Sequence, residues 1–244
     1  WPYHTNFIKE CREYGLKILC CAEDAASWAS PNKRRDTPPY GDTDGLDEVD
    51  YIDKVEFVGQ LVARYGETAA PLTRLETTDS LTGLGYIQYY EDHNEPDKWW
   101  VSPQWAPEEY AAYLNAVHDG YQLSTSEAYP LLGIKSTDPN AKHVLGGLTQ
   151  DKLDYLETVL QNTDGRVPFD LLNFHYYCST FTQGDSGLAP EHEIHGLEPA
   201  ANEWLDWRDE NLPGMPVWIT EFGWDTGVSP AGEFSYVYAP PEQQ

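Results

Sequence analysis

The sequence predicts an α/β chain whose parallel strands belong to a (β/α)8 TIM barrel, and three observations carry that prediction. Helix and strand patterns alternate along the chain, which implies parallel strands joined by crossovers. No glycine fingerprint of the G-x-G-x-x-G or G-x-x-x-x-G-K type follows any strand, which weakens the nucleotide-binding version of an open doubly wound sheet. Polar chemistry collects just after the strands, at the C-terminal ends where barrels place their sites, although open sheets do so as well. The strand patterns number five, too few to close a barrel, so the chain is expected to be an incomplete portion of one.

The elements follow in order. Residues 5–14, "TNFIKECREY", set Phe7, Ile8, Cys11 and Tyr14 at helical spacing, with Gly15 as a C-terminal stop. "LKILCCA" (16–22) reads as a short buried strand, followed by a long polar loop with "SPNKRRDTPPYGDTDG". A helix over about 47–65 places Ile52, Val55, Val62 and Tyr65 on one face. "GYIQYYED" (85–92) is the next strand. The helix opening at "APEEY" has Pro107 in its first turn and Glu108 and Glu109 near the positive end of its dipole. Its apolar stripe runs through Tyr110, Tyr113, Leu114, Val117 and Tyr121. "KHVLGGLT" (142–149) is a strand and "DKLDYLETVLQN" (151–162) a helix. "DLLNFHYYC" (170–178) is a strand, and a helix through Trp204 and Leu205 leads to the strand "PVWITEF" (216–222).

Composition narrows the function classes. The 244 residues carry no linker-like segment and read as a single domain, 40% hydrophobic and therefore globular. A formal charge of −26, with only 15 Lys and Arg, argues against nucleic acid and against an anionic membrane surface. The acidity fits an exported or salt-exposed protein, so a secreted or extracytoplasmic location is expected. Nine Trp and seventeen Tyr supply a core and also suit stacking on sugar rings. The four cysteines form no C-x-x-C, and a disulfide between any two stays open. The chain begins with Trp1, shows neither a signal peptide nor an apolar run of membrane-spanning length, and ends at "APPEQQ", which suggests a processed or partial chain.

Two carboxylates stand at two strand ends. Glu95 follows the strand at 85–92 and Glu221 ends the strand at 216–222, with two strands between them. In a closed barrel, strands three steps apart face one another across the mouth. The two groups could then converge on one atom, as glycosidic bond cleavage requires of an acid and an ionised partner. Glu91, Asp92 and Asp97 around Glu95 raise the cost of another negative charge there, which suits the acid.

These residues resemble a known family. "HNEPD" (93–97) is similar to the Asn-Glu-Pro signature of clan A glycoside hydrolases, "WITEFGWDT" (218–226) to their nucleophile strand, and "FHYY" (174–177) to the His-x-Tyr of their sixth strand. The wording leans toward family 39-like or family 5-like members. The resemblance covers about residues 16–226 and numbers the strands three to seven. It implies Glu95 as acid/base, Glu221 as nucleophile, and retention of configuration. It further implies Asn94 on the sugar 2-hydroxyl, His175 lining the sugar site and Tyr177 hydrogen-bonding the nucleophile. The early-strand Arg or His and the strand-eight aromatic floor of the clan lie outside such a portion. The substrate implied is an oligo- or polysaccharide, with no cofactor required. On this reading the two carboxyl groups stand about 5 Å apart.

Other readings remain in view. A non-catalytic carbohydrate-binding or structural protein could retain the barrel. A metal-dependent hydrolase could use Asp92, His93 and Glu95, although no H-x-x-x-H accompanies them. The acidic run at 41–53 lacks the ligand order of a calcium loop and reads better as a helix N-terminus. Of the tryptophans near strand ends (Trp28, Trp99, Trp100, Trp105 and Trp224), Trp224 is the favoured sugar contact because it lies three residues past Glu221.

Overall fold

The computed structural model describes residues 2–23, 38–98, 104–123, 131–177, 191, 193–194 and 196–223. The strands are β1 (Leu19–Cys21), β2 (Tyr89–Glu91), β3 (Lys142–Val144), β4 (Leu148–Thr149), β5 (Leu172–Tyr177) and β6 (Val217–Gly223). The helices are α1 (Pro2–Glu13), α2 (Ile52–Tyr65), α3 (Pro107–Asp119), α4 (Ile134–Thr137), α5 (Leu153–Gln161) and α6 (Leu197–Asn211).

All strand pairs are parallel. The order β1-β2-β3 forms one ladder and β4-β5-β6 another. The bridges Asn94↔Gly147 and Val144↔Leu171 join them, so β3 and β4 are two segments of one strand lying between β2 and β5. Five strand positions thus follow one another in chain order. A doubly wound sheet needs a point where that order reverses. None occurs among the described residues, and β1 and β6 pair there with no further strand, so the sheet is not closed there.

The break between β3 and β4 falls at Gly146 and Gly147, where the chain is crowded from both sides. A Cβ on Gly146 would stand 2.8 Å from the His93 carbonyl oxygen and from the Tyr110 hydroxyl. On Gly147 it would stand 2.0 Å from His175 Nε2. Only glycine fits either position.

The alternation of strand residues sorts the two faces. On β5, Leu172, Phe174 and Tyr176 are buried against the helical layer, where Phe174 stacks on Trp204 of α6 with centroids 4.9 Å apart. The opposite face carries Asn173, His175 and Tyr177. In α3, Pro107 opens the helix, Glu109 accepts the Ala106 N–H at 2.8 Å, and Gly120 closes it in the left-handed region. Tyr121, expected on the α3 stripe, lies past this stop, with the Arg166 guanidinium 4.0 Å from its ring. The acidic run does lead into a helix: the Asp47 N–H donates to Asp50 at the start of a 3-10 turn, Glu48–Tyr51, which runs into α2.

One expected stripe is not buried. Phe7 of α1 and Tyr14, just past its end, are 61% and 85% exposed. The helix instead docks through Thr5, whose hydroxyl lies 3.0 Å from Tyr65 OH and accepts from buried Arg64. Spacing alone cannot say which face of a mixed helix finds a neighbour. Cys11, Cys20 and Cys21 are free, and no helix among the described residues is long and apolar enough to cross a membrane.

Candidate active site

Glu95 sits three residues past Asp92 on the turn that leaves β2. Its backbone N–H donates to the Gly147 carbonyl at 3.0 Å, and its φ is +47°. A non-glycine residue held there costs about 1–3 kcal/mol and persists only where its surroundings over-determine it. Pro96 and the Lys98 N–H, which donates to the Glu95 carbonyl at 3.1 Å, complete the turn.

His175 of β5 stands between the two carboxylates. Its Nδ1 lies 3.0 Å from Glu95 Oε1 and 3.3 Å from Glu221 Oε2. Its Nε2 lies 3.2 Å from Thr220 Oγ1 and 3.9 Å from Glu91 Oε1. Burial opposes charge on this ring. The Glu91 and Glu95 carboxylates, with the charge of Glu221, outweigh it and push the imidazole up to about 9. The Tyr177 hydroxyl donates to Glu221 Oε1, and burial together with that carboxylate pushes the phenol up.

Glu95, His175 and Glu221 each present a donor atom, and the three lie within 4.8 Å of one another. One oxygen of each glutamate is therefore within that distance of the other, close to the ~5 Å that a double-displacement site uses. Carboxylate, imidazole and carboxylate at this spacing could also hold a divalent metal.

Glu221 reaches this cluster through an irregularity. On β5 and β6, Phe174 is opposite Ile219, but His175 is opposite Glu221, so Thr220 has no partner. This one-residue bulge turns two consecutive side chains, Thr220 and Glu221, toward His175. Regular alternation would have sent one of them to the other face.

The remaining sequence candidates fall as follows. Asn94 is beside the site, half-buried and bridged through its backbone to Gly147. Trp224 lies outside the described residues, as do Trp28, Trp99, Trp100 and Cys178. Trp105 is buried, stacked on Tyr51 with centroids 5.7 Å apart, so it belongs to the core.

The acidic crowding expected around Glu95 is dispersed. Asp92 turns to the helical side and accepts from Tyr110 OH at 2.9 Å, while Asp97 accepts from the Thr149 N–H and hydroxyl. Burial pushes the Asp97 carboxyl up against those bonds. Glu91 accepts from the Gly147 N–H at 3.0 Å and from Asn173 Nδ2 at 2.8 Å. The metal grouping of Asp92, His93 and Glu95 does not form either. His93 Nε2 accepts from Trp105 Nε1 at 2.9 Å, and burial, with Lys54 and Lys98 nearby, keeps that ring neutral.

Sequence reasoning missed Asn173, Thr220 and Gly147. The signal for Asn173 was available, because it shares a face with His175 and Tyr177 by strand alternation. The role of Thr220 depends on the bulge, which no local pattern announces.

No family profile and no curated protein matches this chain. Solved structures do. A glucosidase from Croceicoccus marinus superimposes with a TM-score of 0.54 and 16% identity, over 94% of this chain and 39% of that one. The family 51 α-L-arabinofuranosidase AbfB from Bifidobacterium longum gives 0.48 and 16%, over 90% and 38%. The GH53 catalytic domain of Ignisphaera aggregans gives 0.45 and 14%, over 100% and 72%. The chain spans about two fifths of the first two structures. At such identity the likeness concerns the fold alone, and the glucosidase carries it. What stands is a parallel α/β fold with a distant structural resemblance to glycoside hydrolase catalytic domains.

Proposed function

We propose that this chain is the central portion of a retaining O-glycoside hydrolase on a (β/α)8 barrel, with Glu221 as nucleophile and Glu95 as acid/base. The observation that carries the reading is the pair of carboxylate oxygens within 4.8 Å on strand ends of one site. The positive φ of Glu95 supports it, since backbone strain of this kind gathers at functional positions.

In the first step Glu221 attacks the anomeric carbon and the bond to the leaving oxygen breaks. Glu95 delivers its proton to that oxygen. In the second step Glu95 takes a proton from water, whose oxygen displaces Glu221 from the sugar. Tyr177 holds Glu221 Oε1 and directs the other oxygen. His175 fixes the spacing of both groups, and Asn94 and Trp224 contact the sugar. The substrate is an oligo- or polysaccharide, and strands beyond those described complete the barrel.

The test is hydrolysis of a panel of 4-nitrophenyl glycosides by the native chain and by Glu95→Ala and Glu221→Ala. Loss in both variants with retained configuration of the product supports the reading, and activity unchanged by either substitution overturns the site. A second reading follows from the three converging donor atoms, namely a metal-dependent hydrolase. It requires a neutral imidazole and predicts loss of activity with a chelator and recovery with the added metal. An inert native chain that still binds oligosaccharide would favour a non-catalytic carbohydrate-binding protein.

A further inference from the structure

We propose that Glu91, Asn173 and Thr220 form a positioning layer beneath the site that holds the β6 bulge and so aims Glu221 at Glu95. This deepens the reading of Glu221 as nucleophile and rests on it for its kinetic consequence only.

The bulge frees one backbone N–H from the ladder, that of Thr220. A buried N–H without a partner is costly, and here it donates to Asn173 Oδ1 at 3.2 Å. Asn173 is itself fully buried on the inner face of β5. Its Nδ2 lies 2.8 Å from Glu91 Oε1, 3.1 Å from the Leu145 carbonyl and 2.7 Å from Thr220 Oγ1. One amide therefore spans β2, the break after β3, and β6.

Glu91 is the anchor. It is 4% exposed, and among the described residues the cation paired with it is the His175 ring, 3.9 Å away. Its Oε1 accepts from the Gly147 N–H and Asn173, and lies 3.2 Å from Thr220 Oγ1. A buried carboxylate answered by amides and a hydroxyl persists because several donors converge on it. The Thr220 hydroxyl also accepts from His175 Nε2 at 3.2 Å, so the layer reaches the ring that bridges the two glutamates.

The charged groups facing His175 are Glu91 of β2, Glu95 of the turn after it and Glu221 of β6. From the β3–β4 break, Gly147 lies against the ring. Without the bulge, Glu221 would alternate to the face opposite Thr220, out of reach of His175 and Tyr177. The side-chain contacts of the three layer residues run to one another, to Gly147 and Leu145, and to His175. They act through Glu221 and His175.

The test compares Thr220→Val, which keeps the shape and removes the hydroxyl, with Thr220→Ser, which keeps the hydroxyl. On a 4-nitrophenyl glycoside that the native chain hydrolyses, Thr220→Val is expected to lower kcat about tenfold to a hundredfold with KM within about twofold. Thr220→Ser is expected to restore it. A Thr220→Val variant with native kcat, or one that raises KM alone, overturns the proposal.

The arm independent of activity follows amide exchange and the His175 ring by NMR. In Asn173→Ala the residue 220 amide is expected to exchange about tenfold faster than its β6 neighbours. In Thr220→Val the His175 Nε2 resonance is expected to shift. Should Asn173→Ala fail to fold, the Thr220 pair carries this arm. Unchanged exchange and an unchanged ring signal refute the layer. If the native chain hydrolyses nothing, the proposed function fails while these measurements still decide the layer.

Discussion

Two histidine sites in this molecule reach opposite charge states from the same residue types. His175 stands among Glu91, Glu95 and Glu221, and those carboxylates outweigh its burial, so its pKa rises to about 9. His118, at the end of α3, stacks on His143 of β3 with their Nδ1 atoms 3.0 Å apart. Burial and the neighbouring ring push His118 down to about 3, and the attraction of Asp119 and Asp170 does not offset them. Burial opposes charge on both rings, and they differ in what faces them: three carboxylates for His175, a second imidazole for His118. The site that gathers charge is on the inner face of the strands, while neutral His118 lies at the end of α3.

The comparison can be broken at its charged side first. Glu221→Ala and Glu95→Ala are each expected to cost at least about a thousandfold in kcat/KM on an aryl glycoside. Thermal melting should show both variants folded, with Glu95→Gly at least as stable as the parent because glycine relieves the positive φ at residue 95.

Gly147→Ala comes next. Its Cβ would overlap the His175 ring, so displacement of that ring should lower kcat about a hundredfold. The same variant is expected to lose about 1–3 kcal/mol in denaturant unfolding.

The pH dependence of stability separates the two histidines. The folded pKa of His175 is raised from its ordinary value of 6.5, so its contribution is complete below about 6.5 and is lost as pH rises through about 9. The folded pKa of His118 is depressed, so its contribution is complete above about 6.5 and is lost as pH falls toward about 3. Melting temperatures measured across pH should show His175→Gln flattening the alkaline slope and His118→Gln flattening part of the acid slope. A common effect on one side would refute the contrast. The smallest effect is expected from Tyr177→Phe, about tenfold in kcat with unchanged stability, since it removes one hydroxyl from a side chain 39% exposed.

Much of this was legible in the residues. The alternation of elements, the start of α3 at Pro107, and the inward pairing of His175 with Tyr177 follow from rules that act within a few residues, whereas the stop at Gly120 cuts off Tyr121, expected on the stripe. The setting of Glu95 after β2 and of Glu221 near the end of β6 follows from such rules too. The rest depended on contacts across elements. Trp105, near a strand end but not the favoured sugar contact, is enclosed by the aromatic rings of Tyr51, Tyr110 and Tyr113. Asp92 looked like part of an acidic crowd around Glu95, but strand alternation turns it to Tyr110 of α3.

The sequence by itself determined the class of fold, the parallel sense of the strands and which carboxylates stand at their ends, because these depend on local periodicity and capping. Only the tertiary structure decided that Thr220 and Glu221 face the same way and that a buried glutamate, an amide and a hydroxyl hold them so. That outcome depends on the register between β5 and β6, whose Asn173 and Thr220 are 47 positions apart, and on Glu91, 129 positions from Thr220. Register is settled by which side chains can be packed and satisfied together across strands, and no window along one strand contains that information.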